Sequence, residues 1–233
     1  MNKEDFIKEL AKLDINLNEY QLNQLEEYYN LLVEENKKYN LTSITNKEDV
    51  YLKHFYDSLT ISKIIKLDKQ RICDIGTGAG FPGLVLKIAY PNTHITLLDS
   101  TLKKCNFLNM VIDKLKLENI EVVNDRAEIY AHNNRGVFDI VTSRAVAPLK
   151  HLLEYSIPLL KVNGLFISMK GNIDKEIINI DNYEKKLSIE LIDKIEFKLP
   201  KENSTRTLIK YKKNEKTNKI YPRKYGDIKK KDI

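Results

Sequence analysis

The residues with the clearest chemical meaning run from Asp74 to Gly83, Asp-Ile-Gly-Thr-Gly-Ala-Gly-Phe-Pro-Gly. They follow a short apolar run, Arg71 to Cys73, and precede a helical-looking segment, Leu84 to Tyr90. Strand, glycine-rich turn and helix is the layout that holds a nucleotide-like ligand. Gly76, Gly78 and Gly80 permit a tight turn and let the ligand approach the backbone closely. The helix that follows aims unpaired N–H groups and a partial positive charge at the same place.

Two carboxylates narrow the ligand. Asp99 closes the next apolar run, His94 to Leu98, about 20 residues beyond the glycines, where a carboxylate meets the ribose hydroxyls of a bound nucleoside. Asp74 stands two positions before the first glycine, where dinucleotide folds bring a pyrophosphate. A carboxylate there repels phosphate and suits a cationic ligand with an amino group. S-adenosylmethionine has that chemistry: adenosine, a sulfonium and an amino acid end. Asp74 is expected to hold the amino acid end, directly or through water.

The elements that must position these groups follow from periodicity. Residues 2–13 and 18–38 have helical spacing, with Leu22, Leu25, Tyr29, Leu32 and Val33 on one face of the second. Asn40-Leu41-Thr42-Ser43-Ile44 breaks the pattern. Asn46 can cap a short helix, and 53–65 reads as another. There His54 and Asp57 lie on one face beside Ser58, either as a surface hydrogen-bonded pair or as a lining of the cofactor mouth. From Arg71 onward, strands at 70–75, 94–98, 120–123, 137–143 and 165–169 alternate with helices at 83–90, 101–116 and 148–160. This alternation predicts a parallel sheet with helices on both faces. A helix at 173–186 and strands at 188–198 and 204–212 end the pattern. The turn Pro200 to Asn203 is too short for a parallel crossover, so the last two strands should pair antiparallel.

In such sheets the ligand lies beyond the carboxyl ends of the strands. That selects Gly76 to Phe81, Asp99-Ser100, Asp125-Arg126-Ala127-Glu128, Arg144 to Pro148 and Lys170-Gly171. Ala127 and Glu128 fall where an adenine edge should lie. Arg144 falls where a substrate or cofactor group meets the fourth strand.

Composition sets limits. With 233 residues, 42% hydrophobic and 31% charged, the chain is long enough for one α/β domain with an appendage. No apolar run approaches the ~20 residues of a membrane span, the N-terminus lacks an apolar signal core, and the cytoplasm is the expected location. Cys73 and Cys105 read as small core residues, and no metal site is expected. From Lys194 onward there are 14 Lys or Arg against 5 Asp or Glu. Such a basic end fits a polyanionic partner, or a solvated tail; the final ~15 residues look too polar to pack. Lys103, Lys104, Lys170, Arg206, Arg223 and Lys224 are the candidate phosphate contacts.

The assembly resembles the bacterial 16S rRNA (guanine-N7) methyltransferase G family, once called glucose-inhibited division protein B. The resemblance rests on Asn40 to Ile44, His54 to Ser58, Asp74 to Leu84, Asp99-Ser100 with Lys103-Lys104, Arg126-Ala127-Glu128, Ser143 to Leu149, Lys170-Gly171 and Tyr221-Pro222-Arg223. The Phe81-Pro82-Gly83 extension and Ser143-Arg144-Ala145-Val146-Ala147-Pro148 are its most specific parts. It implies a Rossmann-like, seven-stranded S-adenosylmethionine-dependent methyltransferase sheet with an N-terminal helical appendage. The divisions are then 1–66 for the appendage, 67–213 for the methyltransferase domain and 214–233 for the basic tail. It implies methyl transfer to N7 of one guanine in 16S rRNA; the expected partner is 16S rRNA or the small ribosomal subunit, and the chain is expected to be a monomer. Gly76, Phe81, Ala127, Glu128 and Arg144 are its implied cofactor contacts, with Arg144 also the candidate for orienting the reactants. Asp99 stands where many relatives have Glu, and the tail after Gly226 aligns with nothing in the family.

Other functions predict other residues. A small-molecule or protein methyltransferase has an apolar lid and no need of a basic tail. A nicotinamide dehydrogenase is disfavoured by Asp74, and a non-catalytic RNA-binding module by the intact glycine turn. The motifs for methylating exocyclic amino groups (Asn/Asp-Pro-Pro-Tyr/Phe) and pyrimidine C5 (Pro-Cys after strand four) are missing. N7 needs neither, since it carries an exposed lone pair and no proton.

Overall fold

The computed structural model describes residues 1–171, 173, 176 and 180–233. Asparagines begin the first helices: Asn2 caps α1 (Lys3–Ala11), Asn18 caps α2 (Glu19–Tyr39) and Asn46 caps α3 (Lys47–Val50), each with its side-chain oxygen on a free N–H. At α2 the cap is reciprocal, because the Gln21 side chain returns to the Asn18 N–H.

The sheet follows the predicted alternation: β1 (Arg71–Ile75), α5 (Gly83–Ala89), β2 (His94–Asp99), α6 (Leu102–Leu115), β3 (Ile120–Asn124), α7 (Ala127–Asn133), β4 (Phe138–Arg144), α8 (Leu149–Ser156) and β5 (Leu160–Lys170). Then come α9 (Asp181–Leu187), β6 (Ile189–Lys198), β7 (Thr205–Lys213) and α10 (Tyr225–Lys230). The strand order is β3-β2-β1-β4-β5-β7-β6. Strands β1 to β5 run parallel, and β7 runs antiparallel to both β5 and β6. The expected antiparallel hairpin is therefore present. The order reverses beside β1, so a cleft opens beyond the carboxyl ends of β1 and β4.

The sheet has a packed cluster on each face. One joins α5 and α6 to the N-terminal helices through Phe6, Leu25, Tyr28, Phe55, Leu84 and Leu108. The other joins α8 and α9 to the chain end through Leu152, Tyr183, Tyr211, Ile228 and Ile233. Side-chain amides reinforce the first. Gln21 donates to the Ile88 and Ala89 carbonyls at the end of α5, and Gln24 donates to the Leu115 carbonyl at the end of α6. These helix ends would otherwise leave buried acceptors unpaired.

Four local expectations need correction. Tyr28, not Tyr29, enters the core, because the buried stripe of α2 passes through Leu25, Tyr28, Leu31 and Leu32. The segment 53–65 is not one α-helix: a π-helical stretch, Tyr51–Tyr56, passes into α4 (Asp57–Leu59) and a 3-10 turn, Thr60–Lys63. The Ser58 and Thr60 hydroxyls bond the carbonyls of His54 and Asp57, which competes with the regular ladder. Helix α7 (Ala127–Asn133) occupies a stretch between the third and fourth strands for which no helix is predicted. The final residues do pack, with Ile228 and Ile233 buried and Asp232 paired to Lys150. The predicted helix 173–186 falls partly outside the described residues. No helix among the described residues is long and apolar enough to cross a membrane.

Candidate cofactor and substrate site

The glycine turn is tied to its neighbours by its own backbone. The N–H groups of Gly76 and Thr77 donate to the Leu98 carbonyl of β2 at 2.7 and 3.2 Å, and those of Gly80 and Phe81 to the Thr77 carbonyl. Gly76 and Gly78 have φ of 66° and 62°, which disfavours any side chain. A Cβ on Gly76 would lie 2.5 Å from Val146, whereas one on Gly78 would point into space open to 3.9 Å. Gly78 is thus the point at which a ligand can approach the backbone.

Asp74 is fully buried, and its Oδ2 accepts from the Gly83 N–H at 2.8 Å, pinning the start of α5. Burial raises its carboxyl to about 6, against the opposing pull of the Gly83 N–H. Its Oδ1 has no hydrogen-bond partner among the described residues. Asp99 accepts from the Gly78 N–H at 3.0 Å and from the Thr101 N–H at 2.8 Å, while Lys104 stands 4.0 Å away. Both acids shape the turn, and Asp99 also faces open space.

Two cavities meet at this turn. The larger, about 730 Å³, is lined by Asp99, Ser100, Ala127, Glu128, Val146 and Tyr225, among others. The smaller, about 530 Å³, lies under the appendage and includes Thr42, Ser43, His54, Asp57, Phe81 and Arg206 in its wall. Gly76, Arg144 and Ala145 belong to both.

Arg144 fills the junction. Its Nη1 donates to the Lys53 carbonyl at 2.8 Å and to Asp57 Oδ2 at 3.1 Å, and its Nη2 lies 3.1 Å from His54 Nδ1. The guanidinium carbon sits 5.2 Å from the Phe81 ring centroid, and the His54 ring stacks on that same ring at 4.2 Å. Burial, then the nearby guanidinium, push His54 down to about 3. The imidazole is neutral; Nδ1 lies between the Arg144 donor and the Lys53 carbonyl, 3.2 Å away, and the donor-only guanidinium at 3.1 Å favours the tautomer with its lone pair on Nδ1. The proton then sits on Nε2 and donates to Thr42 Oγ1 at 3.0 Å. Asp57 Oδ1 in turn accepts from Arg206 Nε at 3.0 Å. His54 and Asp57 are therefore a buried lining of the smaller cavity and not a surface pair.

Residues 21–209 match the family model described as rRNA small subunit methyltransferase G. The chain is 50% identical over 206 residues to the ribosomal RNA small subunit methyltransferase G of Mesoplasma florum, covering 88% of this chain and 86% of that one. It is 45% identical over 230 residues to the protein of that name from Bacillus subtilis, covering 97% and 96%. The chain belongs to this family. Its fold is that of S-adenosylmethionine-dependent methyltransferases. M. jannaschii TYW2, solved with AdoMet, superposes with a TM-score of 0.55 at 16% identity, over 67% of this chain and 76% of that one. A SAM-dependent methyltransferase from Aquifex aeolicus gives 0.54 at 13%, over 74% and 96%.

The family cofactor, S-adenosylmethionine, fits the larger cavity. Gly78 leaves room at the backbone, Asp99 offers oxygens at the end of β2, and Glu128 Oε2 has no partner among the described residues while Oε1 accepts from Arg126 Nε. These acceptors suit hydroxyl and amino groups.

The predicted basic contacts divide in two. Lys103 lies over the Tyr39 ring, Lys104 is near Asp99, and Lys224 is exposed beside the larger cavity's tail helix. Arg206 and Lys170 line the smaller cavity; Lys170 is paired with Glu176 at 2.7 Å. Arg223, by contrast, is forked onto the buried Glu154, which leaves it little to offer a phosphate. Sequence reasoning missed Tyr225, Lys229, His151 and Tyr155 in the larger cavity wall. The signal for Tyr225 was Tyr221-Pro222-Arg223, which anchors the chain just before it.

Proposed function

We propose that this chain transfers a methyl group from S-adenosylmethionine to N7 of one guanine in 16S rRNA, with adenosine in the larger cavity and the target base in the smaller. The observation that carries the division is the junction at Gly76, Arg144 and Ala145: Asp99 and Glu128 lie on one side with Lys104, Arg126 and Lys229, and Lys53, Lys170 and Arg206 lie on the other with Asp57. Residues 67–213 hold the cofactor, 1–66 wall the base cavity, and 214–233 close the adenosine side. The protein works as a cytoplasmic monomer on rRNA or the small subunit.

In this arrangement Asp99 takes the ribose hydroxyls and Glu128 the adenine amino group. Asp74, enclosed behind the turn, acts on the amino acid end by holding the turn or through water. Bound there, the cofactor supplies an electrophilic methyl group on a sulfonium. N7 attacks with its own lone pair, so the protein has no proton to remove; it aligns the reacting atoms and favours passage of positive charge onto the ring. Arg144 fixes that alignment from the junction, because three appendage groups hold its guanidinium. It must not donate to N7, which would occupy the lone pair.

Incubation of 16S rRNA with methyl-labelled cofactor, followed by digestion to nucleosides, tests this directly. Label in 7-methylguanosine is expected. Label in an N2-methylguanosine or 5-methylcytidine, or transfer to protein alone, contradicts it.

A further inference from the structure

The chain after β7 is fastened at fixed points despite its polarity. Arg135 donates to the carbonyls of Thr217, Asn218 and Tyr221 at 2.6, 3.1 and 2.5 Å. Arg223 grips Glu154 through Nε at 2.9 Å and Nη2 at 2.8 Å. Ile228 and Ile233 are buried, and Asp232 pairs with Lys150 at 2.5 Å. These contacts give α10 one orientation, with Tyr225 and Lys229 in the wall of the larger cavity.

Tyr225 is nevertheless 39% exposed. Its ring lies under the Arg126 guanidinium, whose carbon is 4.3 Å from the ring centroid. Arg126 Nε in turn donates to Glu128 Oε1 at 2.5 Å, leaving Oε2 without a partner among the described residues. A half-exposed Arg–Glu bridge is ordinarily loose. A ring against the guanidinium face restrains it, since planar stacking orients the fork as well as attracting the charge. The line of contacts runs from the tail to the acid at the first turn of α7.

We propose that α10 is part of the cofactor site: Tyr225 is a positioning residue that holds Arg126, and Arg126 aims the free Glu128 oxygen at the amino group of adenine. This rests on the assignment of Glu128 to adenine above. The consequence is selectivity as well as affinity. A carboxylate oxygen accepts from a 6-amino purine but meets an oxygen in a 6-oxo purine, and it discriminates only if its direction is fixed.

The test is calorimetric titration of the full chain with S-adenosylhomocysteine and with S-inosylhomocysteine, for wild type, Tyr225→Ala, Tyr225→Phe and Glu128→Ala. Wild type should prefer the adenine ligand. Tyr225→Ala should weaken S-adenosylhomocysteine binding and narrow that preference by about threefold to tenfold, and Tyr225→Phe should retain both, because the ring and not the hydroxyl holds Arg126. If Glu128→Ala loses the preference while Tyr225→Ala keeps it, the role of Tyr225 is wrong and the role of Glu128 stands. If Glu128→Ala binds both ligands as wild type does, the adenine assignment itself fails and the proposal with it. A Tyr225→Ala protein with unchanged cofactor binding but weakened binding of a 16S rRNA fragment would assign the ring to RNA and overturn the proposal.

Discussion

Arg144 Nη2 donates to His54 Nδ1 at 3.1 Å, joining the end of β4 to a π-helical turn of the appendage. The bond requires an unprotonated imidazole nitrogen, and the low His54 pKa, about 3, provides it. An arginine at the junction of two cavities is thus held by a histidine that cannot take a proton from substrate through Nδ1 while the bond lasts.

Arg144→Ala should remove this junction. Asp57 keeps Arg206, so the stability loss should lie near the lower end of the ~3–5 kcal/mol typical of breaking a buried ion pair. Turnover should fall by about a hundredfold or more from misplacement of the reactants. Arg144→Lys should recover stability better than rate, because one ammonium cannot reproduce the planar fork to His54, Asp57 and the Lys53 carbonyl. Urea unfolding and single-turnover kinetics on each variant separate the two effects.

Asp99→Ala should weaken S-adenosylhomocysteine binding by roughly one to two orders of magnitude, the range for losing a charge-assisted bond of ~1.5–3 kcal/mol. The same change frees the Gly78 and Thr101 N–H groups, so some of the loss reflects a looser turn. Calorimetry on a folded Asp99→Ala protein that finds wild-type affinity would remove Asp99 from the site.

Asp74 gives the fold a pH signature. Its carboxyl is raised from 3.8 to about 6 by burial, so between those values the native state holds a proton that the unfolded state has lost. The contribution of Asp74 is fully present below pH 3.8 and is lost as pH rises through 6, at about 1.4 kcal/mol per pKa unit. Asp74→Asn should therefore gain on wild type as pH rises from 4 to 7. Urea unfolding across that range checks it; a difference between the two proteins that does not vary with pH contradicts it.

The basic residues should separate by what already holds them. Lys103→Gln and Lys224→Gln should each flatten the slope of log RNA affinity against log salt by ~0.7–0.9. Arg223→Gln should leave the slope alone and cost stability, because it removes the countercharge of the buried Glu154 and leaves that carboxylate the Arg223 backbone N–H. Filter binding at several salt concentrations, with thermal melts, distinguishes these outcomes.

The parts of this molecule legible in its sequence are those whose signal is local. Alternating apolar runs gave the sheet, and Asp74 to Gly83 and Asp99 announced the turn because glycine and carboxylate chemistry act within a few residues. The partners of Arg144 lie 87 to 91 residues away, and only the folded chain brings them together. Tyr29 was preferred to Tyr28 because either fits a helical stripe; the choice is made by Phe55, Phe81 and the Ala79 carbonyl, which Tyr28 contacts. The tail looked too polar to pack because polarity counts say nothing of Arg135, which satisfies three of its carbonyls.

The claim that alignment, without a proton acceptor, drives the reaction is tested most directly by a single-turnover pH–rate profile at saturating cofactor and rRNA, for wild type and His54→Ala. N7 brings no proton, and His54 is neutral across the working range, so the wild-type rate should show no rising limb between pH 5.5 and 8 assignable to His54. His54→Ala should lower the rate at every pH by a similar factor, as expected for a residue that positions Arg144. A wild-type rate climbing tenfold per pH unit below neutrality, with that limb lost in His54→Ala, would reveal a general base and contradict transfer to N7.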